Sequence, residues 1–165
     1  MSTAPTALLV LLLLQSPRAT AELSLNGATI SVEYGRPSLK GRDLLSLAPV
    51  GTVWRLGADQ STTLTIDGTA TFGTIVVGAG EYSLFLERTA EDDWVLVVNT
   101  QTGQWGTEHD RRRDLLAVPL KWDVGEASTE QLTIELTKET DETGILAIRW
   151  GKHALRQRFR LLKVS

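Results

Sequence analysis

Two arginines stand apart from the rest of the chain. Arg36 and Arg55 lie among Gly, Pro and Trp, outside the alternating runs that hold most of the other charges. A guanidinium presents a planar fork of donors that matches a carboxylate or a phosphate, so two that converge make an anion site. Asp59 and Thr63 add polar groups nearby in sequence, and Trp54 and Trp105 add broad faces. A second reading of the arginines is structural: they pair with Glu33, Asp43 or Asp59, or stack on Trp54 and pin the loops. The aromatic residues divide the same way. Trp54, Trp105, Tyr34 and Tyr82 suit a groove for a sugar or another ring, and they equally suit anchoring of a β-rich core.

Other groups carry less. The two histidines, His109 and His153, are far apart in sequence and sit in polar, turn-like surroundings. His109 and Asp110 are adjacent, a spacing that puts their side chains on opposite faces of a strand. A metal site would need both histidines to converge with carboxylates, and no metal is expected. Ser38 and Ser83 have no recognisable elbow or partnered base. No cofactor motif is present. The arginine run at 111–113 reads as a solvated loop. Arg156, Arg158 and Arg160 form one face of a strand that pairs across to acids such as Glu135 and Glu139 or meets a partner.

The elements that must position these groups are strands. Apolar residues recur at every second position in Ile30, Val32, Tyr34; Leu64, Ile66; Tyr82, Leu84, Leu86; Leu132, Ile134, Leu136; and Leu146, Ile148, Trp150, and the last strand's face is Leu155, Gln157, Phe159 and Leu161, polar only at Gln157. Residues 94–98 are continuously apolar and fit a strand covered on both faces. Residues 69–77 and 115–120 are two further strands. Turn signals fall at 67–68, 78–80, 99–103, 123–125, 141–144 and 151–152. The spacing predicts an all-β, single-domain antiparallel sandwich, or barrel-like sandwich, of about 8–10 strands, with the last three strands in a meander. The only helical candidate is the short stretch 42–47.

Residues 34–58 break this rhythm. They are rich in Gly, Pro, Arg and Trp, and long irregular segments in compact domains tend to be functional or disordered. Leu39, Leu44, Leu45, Leu47 and Trp54 argue for order here. The same stretch carries a resemblance. Tyr34-Gly35-Arg36-Pro37-Ser38-Leu39-Lys40-Gly41-Arg42, then Val53-Trp54-Arg55-Leu56-Gly57-Ala58 with Thr62-Thr63, then Gly80-Glu81-Tyr82-Ser83-Leu84-Phe85, then Trp94, Asn99 and Gly103-Gln104-Trp105-Gly106 resemble the bacterial domain-of-unknown-function 2911 family. The order and spacing follow that family from about Ala28 onward. The resemblance implies an exported, all-β domain and brings no activity or catalytic residue. One departure is visible: the family's usual Asn-Glu after Gly-Ala is Asp59-Gln60 here, with acid and amide exchanged.

The chain opens on an apolar run at 7–14, too short for the roughly 20 residues that span a bilayer. Ala19-Thr20-Ala21 follows, a small-x-small triplet, and the pattern reads as a secretory leader at 1–21 before a single β domain at 22–165. The leader's opening has no Lys or Arg, so only its amino terminus is cationic. Export to the periplasm or beyond is the expectation. No cysteine is present, which rules out disulfides and thiolate zinc sites. The net charge of −3 becomes −4 once Arg18 is lost with the leader. That acidity argues against a nucleic-acid partner, and no later stretch of the mature chain is apolar enough to cross a membrane.

The function expected is an envelope binding or interaction module for a polar or anionic small ligand, held by Arg36, Trp54, Arg55, Asp59, Thr63 and Trp105. Two alternatives stand beside it. One is a hydrolase- or isomerase-like site around Arg55 and Asp59 that draws on Tyr34 or His109. The other is a purely structural role in which Trp54, Arg55 and Trp105 complete a second core layer.

Overall fold

The computed structural model describes residues 15–164, so the apolar run at 7–14 lies outside the described residues. Ten antiparallel strands account for nearly all regular structure: β1 (Arg18–Leu25), β2 (Ala28–Gly35), β3 (Val53–Trp54), β4 (Thr62–Asp67), β5 (Thr69–Phe72), β6 (Ile75–Val77), β7 (Gly80–Arg88), β8 (Trp94–Asn99), β9 (Asp114–Lys138) and β10 (Thr143–Leu162). One four-residue helix, α1 (Leu44–Leu47), and a 3-10 turn at Arg111–Arg113 complete the description. Neighbouring strands run in the order β1-β2-β4-β7-β8-β9-β10-β5-β6, and β3 pairs with β7 beyond the end of β4. The all-β sandwich-like architecture expected from the alternation is what the chain forms.

β9 makes one sheet into two layers. Its first residues pair with β8, from Asp114 opposite Asn99 to Leu120 opposite Trp94. From Lys121 onward its partner is β10. A strand that passes from one layer to the other forms a corner of the sandwich. The core lies between the layers: Ile30, Val32, Leu64, Leu84, Leu86 and Leu96 from the first meet Leu132, Leu146, Trp150, Leu155 and Phe159 from the second.

Three details differ from the sequence reading. The turn signals at 123–125 and 151–152 lie within β9 and β10, which therefore form a two-strand hairpin and not part of a three-strand meander. The pairing continues through register shifts between Arg149 and Gly151 and between Gly151 and His153. Gly151, at φ +61°, supplies the left-handed residue that such a bulge needs. A glycine signal thus marks a bend in a strand as readily as its end. Residues 69–77 form the β5–β6 hairpin, not one strand, turning at Gly73 with φ +60°. Within 42–47 the helix covers only Leu44–Leu47.

The irregular stretch after β2 has a structural task. Tyr34 Oη accepts the backbone N–H of Ile134 at 2.9 Å. Arg36 Nε donates to the Leu132 carbonyl at 3.0 Å, and its Nη2 donates to Thr133 Oγ1 at 3.1 Å. Leu132 N donates to Pro37 O, and Leu39 N donates to Glu130 O, both at 3.0 Å. Buried backbone groups need partners. The run that carries the first block of the family resemblance supplies them along the edge of β9, fastening one layer to the other.

Candidate functional site

Period two sends Leu84 and Leu86 into the core and Phe85 to the opposite face of β7. Phe85 and its cross-strand neighbour Val97 are nevertheless buried, and they lie outside the main core cluster. The cover comes from the segment 100–113 between β8 and β9, whose His109 ring lies 4.7 Å from that of Phe85. Under this cover, where β3 meets β7, is an open cleft of about 300 Å³ lined by Trp54, Arg55, Phe85, Gly106, Thr107 and His109, with Val53 at its wall.

Two loops build the cleft by locking together. Gly106 N donates to Asp59 O at 2.8 Å, and Ser61 N donates to Gln104 O at 3.1 Å. Gln60 and Trp105 form a bridge between these bonds. Gly106 sits tightly: a Cβ there would lie 3.0 Å from Asp59 O and 3.1 Å from Arg55 Cδ, so the loops would have to give by a few tenths of an ångström to admit one. The 55–61 loop is bent tightly, with Leu56 and Asp59 both at left-handed φ, +48° and +63°. For a bulky residue such as Leu56 that conformation is costly, and it persists only where surroundings hold it. Here Leu56 is wholly buried, and Thr62 Oγ1 donates to its carbonyl at 2.7 Å.

His109 is held by a chain of polar groups. Its Nε2 lies 2.8 Å from Asp114 Oδ1, which also accepts Asn99 Nδ2 at 2.8 Å. Asn99 is fully buried, and its Oδ1 accepts Gln101 N at 2.9 Å. A carboxylate can only accept, so Nε2 of His109 carries the proton in this pair. Nδ1 has no hydrogen-bond partner among the described residues. The sequence neighbour Asp110 plays no part in this. Its carboxylate caps the 3-10 turn by accepting the backbone and side chain of Arg112, which holds it below the usual carboxylate range.

Arg55 differs from the other arginines. The chain has twelve. Arg36, Arg42 and Arg88 donate to backbone carbonyls, and Arg18, Arg111, Arg112, Arg113, Arg149, Arg156, Arg158 and Arg160 pair with carboxylates. Arg55 alone has no hydrogen bond or ion pair among the described residues. The last three strand arginines meet Asp123, Glu139 and Glu142, while Glu135 pairs with Arg149. The run 111–113 is a 3-10 turn tied to Glu87 and Asp110.

Of the six residues expected to hold a ligand, the structure brings Trp54 and Arg55 into the cleft. Asp59 and Trp105 stand in the loops that frame it; Trp105 is exposed, and the Asp59 carboxylate accepts the backbone N–H of Ser16 at 2.9 Å. Thr63 sits in β4, paired between Glu33 and Ser83, outside the cleft lining. Arg36 does not join Arg55, because its donors are taken up at β9. Tyr34 is buried at the same edge. Trp54 also stacks on the core residue Trp150, with centroids 5.3 Å apart and planes 13° from parallel. Asp114 is not singled out in sequence, and Asn99 enters there only in the family resemblance and at the head of a turn signal. Their link to His109 runs across the end of a loop, and only the Asn99 turn signal pointed near it.

The second histidine has no free nitrogen. Trp122 Nε1, which can only donate, meets His153 Nδ1 at 3.1 Å, so Nε2 carries the proton and donates to Asp43 Oδ1 at 2.8 Å. This pins the start of α1 to β10. Among the described residues no group of three or more His, Asp or Glu is placed to hold a metal ion. No described helix is long and apolar enough to cross a membrane.

Comparison with known proteins follows the same lines as the motifs. No curated protein and no solved structure matches the chain. A family model described as protein of unknown function (DUF2911) matches residues 16–159, nearly the whole described chain, and the protein belongs to that family.

Proposed function

We propose that the protein is an exported envelope module that binds a small anionic ligand in the cleft between Arg55 and His109. The observation that carries this reading is the guanidinium of Arg55, which has no partner among the described residues, whereas the other eleven arginines all have acceptors there. A partly buried cation with no acceptor is an unmet demand for one, and a carboxylate or phosphate meets it with two parallel hydrogen bonds. Phe85 and Trp54 give the cleft apolar surface that strengthens such contacts by excluding water. Export rests on the short apolar run at 7–14, which has the length of a secretory leader's core.

The test is thermal unfolding of the full chain against graded acetate, citrate and inorganic phosphate. An anion that fits raises the midpoint in a saturable way in the parent. The rise disappears in Arg55→Gln and persists in Arg158→Gln, which removes a paired surface arginine. Equal stabilisation of all three proteins removes the site from this cleft. Cell fractionation tests export: a chain found only in the cytosol overturns it.

A second reading is favoured by His109. An imidazole oriented by a carboxylate, with its other nitrogen unoccupied, is the arrangement of a general base, and Arg55 would steady a developing negative charge in a hydrolase- or isomerase-like reaction. Turnover of simple esters or phosphoesters that is abolished in His109→Gln supports it; turnover unchanged in that variant overturns it. A purely structural role fits less well, because Trp105 is exposed and the cleft beside Arg55 is open.

A further inference from the structure

We propose that residues 16–21 are part of the mature folded domain, so that processing of the leader leaves this segment on the chain. The inference rests on the export reading only in supposing that processing occurs. Its basis is the pairing of β1. Four of the eight residue pairs that join β1 to β2 lie before Glu22: Arg18 with Gly35, Ala19 with Tyr34, Thr20 with Glu33 and Ala21 with Val32. Exposure alternates along the whole strand, with Ala19, Ala21 and Leu23 half-buried against the core and Arg18, Thr20 and Glu22 facing out. The small-x-small triplet is thus also the inward face of an edge strand, where alanine fits against packed neighbours.

Tertiary bonds extend this two residues further. Pro17 O accepts Arg36 N at 2.6 Å, and Arg18 Nε pairs with Glu33 at 3.1 Å. Ser16 N reaches the carboxylate of Asp59, in the loop that frames the cleft. A cut after Ala21 would leave β1 with four residues, bare the edge of β2 at 32–35, and strip partners from Arg36 N and from Asp59. An uncovered strand edge is a template for pairing with other chains. The family match also begins at residue 16. Each of these observations puts the boundary of the folded unit upstream of the triplet.

The test uses the full chain expressed in an exporting bacterium, with intact mass and N-terminal sequence determined on protein recovered outside the cytosol. Alongside it goes Ala21→Val, which a strand tolerates and which replaces the small residue that cleavage after position 21 requires. The expected result is a chain that begins at Ser16 or earlier, and a variant that differs from the parent only by the mass of the substitution. A chain beginning at Glu22, with Ala21→Val accumulating as precursor, overturns the proposal and leaves export standing. Protein found only in the cytosol overturns export instead. Hydrogen exchange on that same full chain then decides the segment: slowed exchange in the 18–21 region supports it, and exchange as fast as in a free peptide overturns it.

Discussion

Asn99 and His109 share one carboxylate oxygen, Oδ1 of Asp114. Asp114 Oδ1 accepts Asn99 Nδ2 at 2.8 Å while lying 2.8 Å from His109 Nε2, so one carboxylate fixes both a buried amide and the imidazole at the cleft. Replacing it affects both partners. Asp114→Ala leaves the buried Asn99 short of an acceptor and is expected to cost on the order of 1–3 kcal/mol. Urea unfolding measures this. The side-chain NMR signals of His109 should also broaden or shift as the ring is released, and an unchanged ring environment would show that Asp114 does not orient it.

Gly35 approaches Ala58 more closely than any side chain allows. A Cβ at 35 would lie 2.4 Å from the Ala58 carbonyl oxygen, a backbone atom that cannot swing aside. Gly35→Ala must therefore push β2 away from the 55–61 loop, at a cost of at least about 1–3 kcal/mol. Gly125→Ala is the control, since nothing lies within 4 Å of its added carbon. It should change stability by less than about 0.5 kcal/mol. Similar denaturation midpoints for the two variants would contradict this packing.

Tyr34→Phe tests the clasp between layers. The ring still fits, and the Ile134 N–H loses the oxygen that now accepts it at 2.9 Å within the core. The expected loss is on the order of 1–3 kcal/mol, the cost of a buried donor left unmade. Amide exchange at Ile134 should accelerate more than at Leu146, whose amide Tyr34 does not bond.

Acid should weaken the fold through specific pairs. Arg158 bonded to Glu139, Arg112 to Asp110 and Lys138 to Asp141 each lower the carboxyl pKa from its ordinary value of 4.5 for Glu or 3.8 for Asp. A group depressed in the folded state contributes stability that is complete above its unfolded pKa and is lost as pH falls through the folded one. The melting temperature should therefore fall with pH below about 4.5, the ordinary Glu value. All three carboxylates are at the surface, so each effect is small and shrinks at high salt. Arg158→Gln should flatten the acid slope, and an identical slope in that variant would remove Glu139 from the account.

Much of the architecture was legible in the order of residues. Alternation at Ile30, Val32 and Tyr34, or at Leu146, Ile148 and Trp150, assigns strands because side chains two apart share a face. The continuous run at 94–98 is covered on both faces as its composition required. The segments 123–125 and 151–152 look like strand ends in sequence because glycine permits a bulge and a turn equally well, and only the pairing of β9 with β10 tells them apart. The cleft's lining was legible in part. Arg55 and Trp54 announced themselves by their irregular surroundings. Asp114 did not, because its role depends on a loop that folds back over Phe85.

What the sequence determined by itself is the class of fold, the family and the absence of disulfides, since periodicity, motif order and cysteine count are properties of the chain alone. What only tertiary structure decided is which charges are used up. Arg36 and Arg55 look alike in sequence, each beside Gly, Pro or Trp. Arg36 meets the Leu132 carbonyl across the sandwich and becomes part of the clasp, and Arg55 meets no acceptor among the described residues and lines the cleft. Hydrogen bonds are satisfied by atoms near in space and not in sequence, here about a hundred residues away, so the division between structural and available cations emerges only when the layers pack.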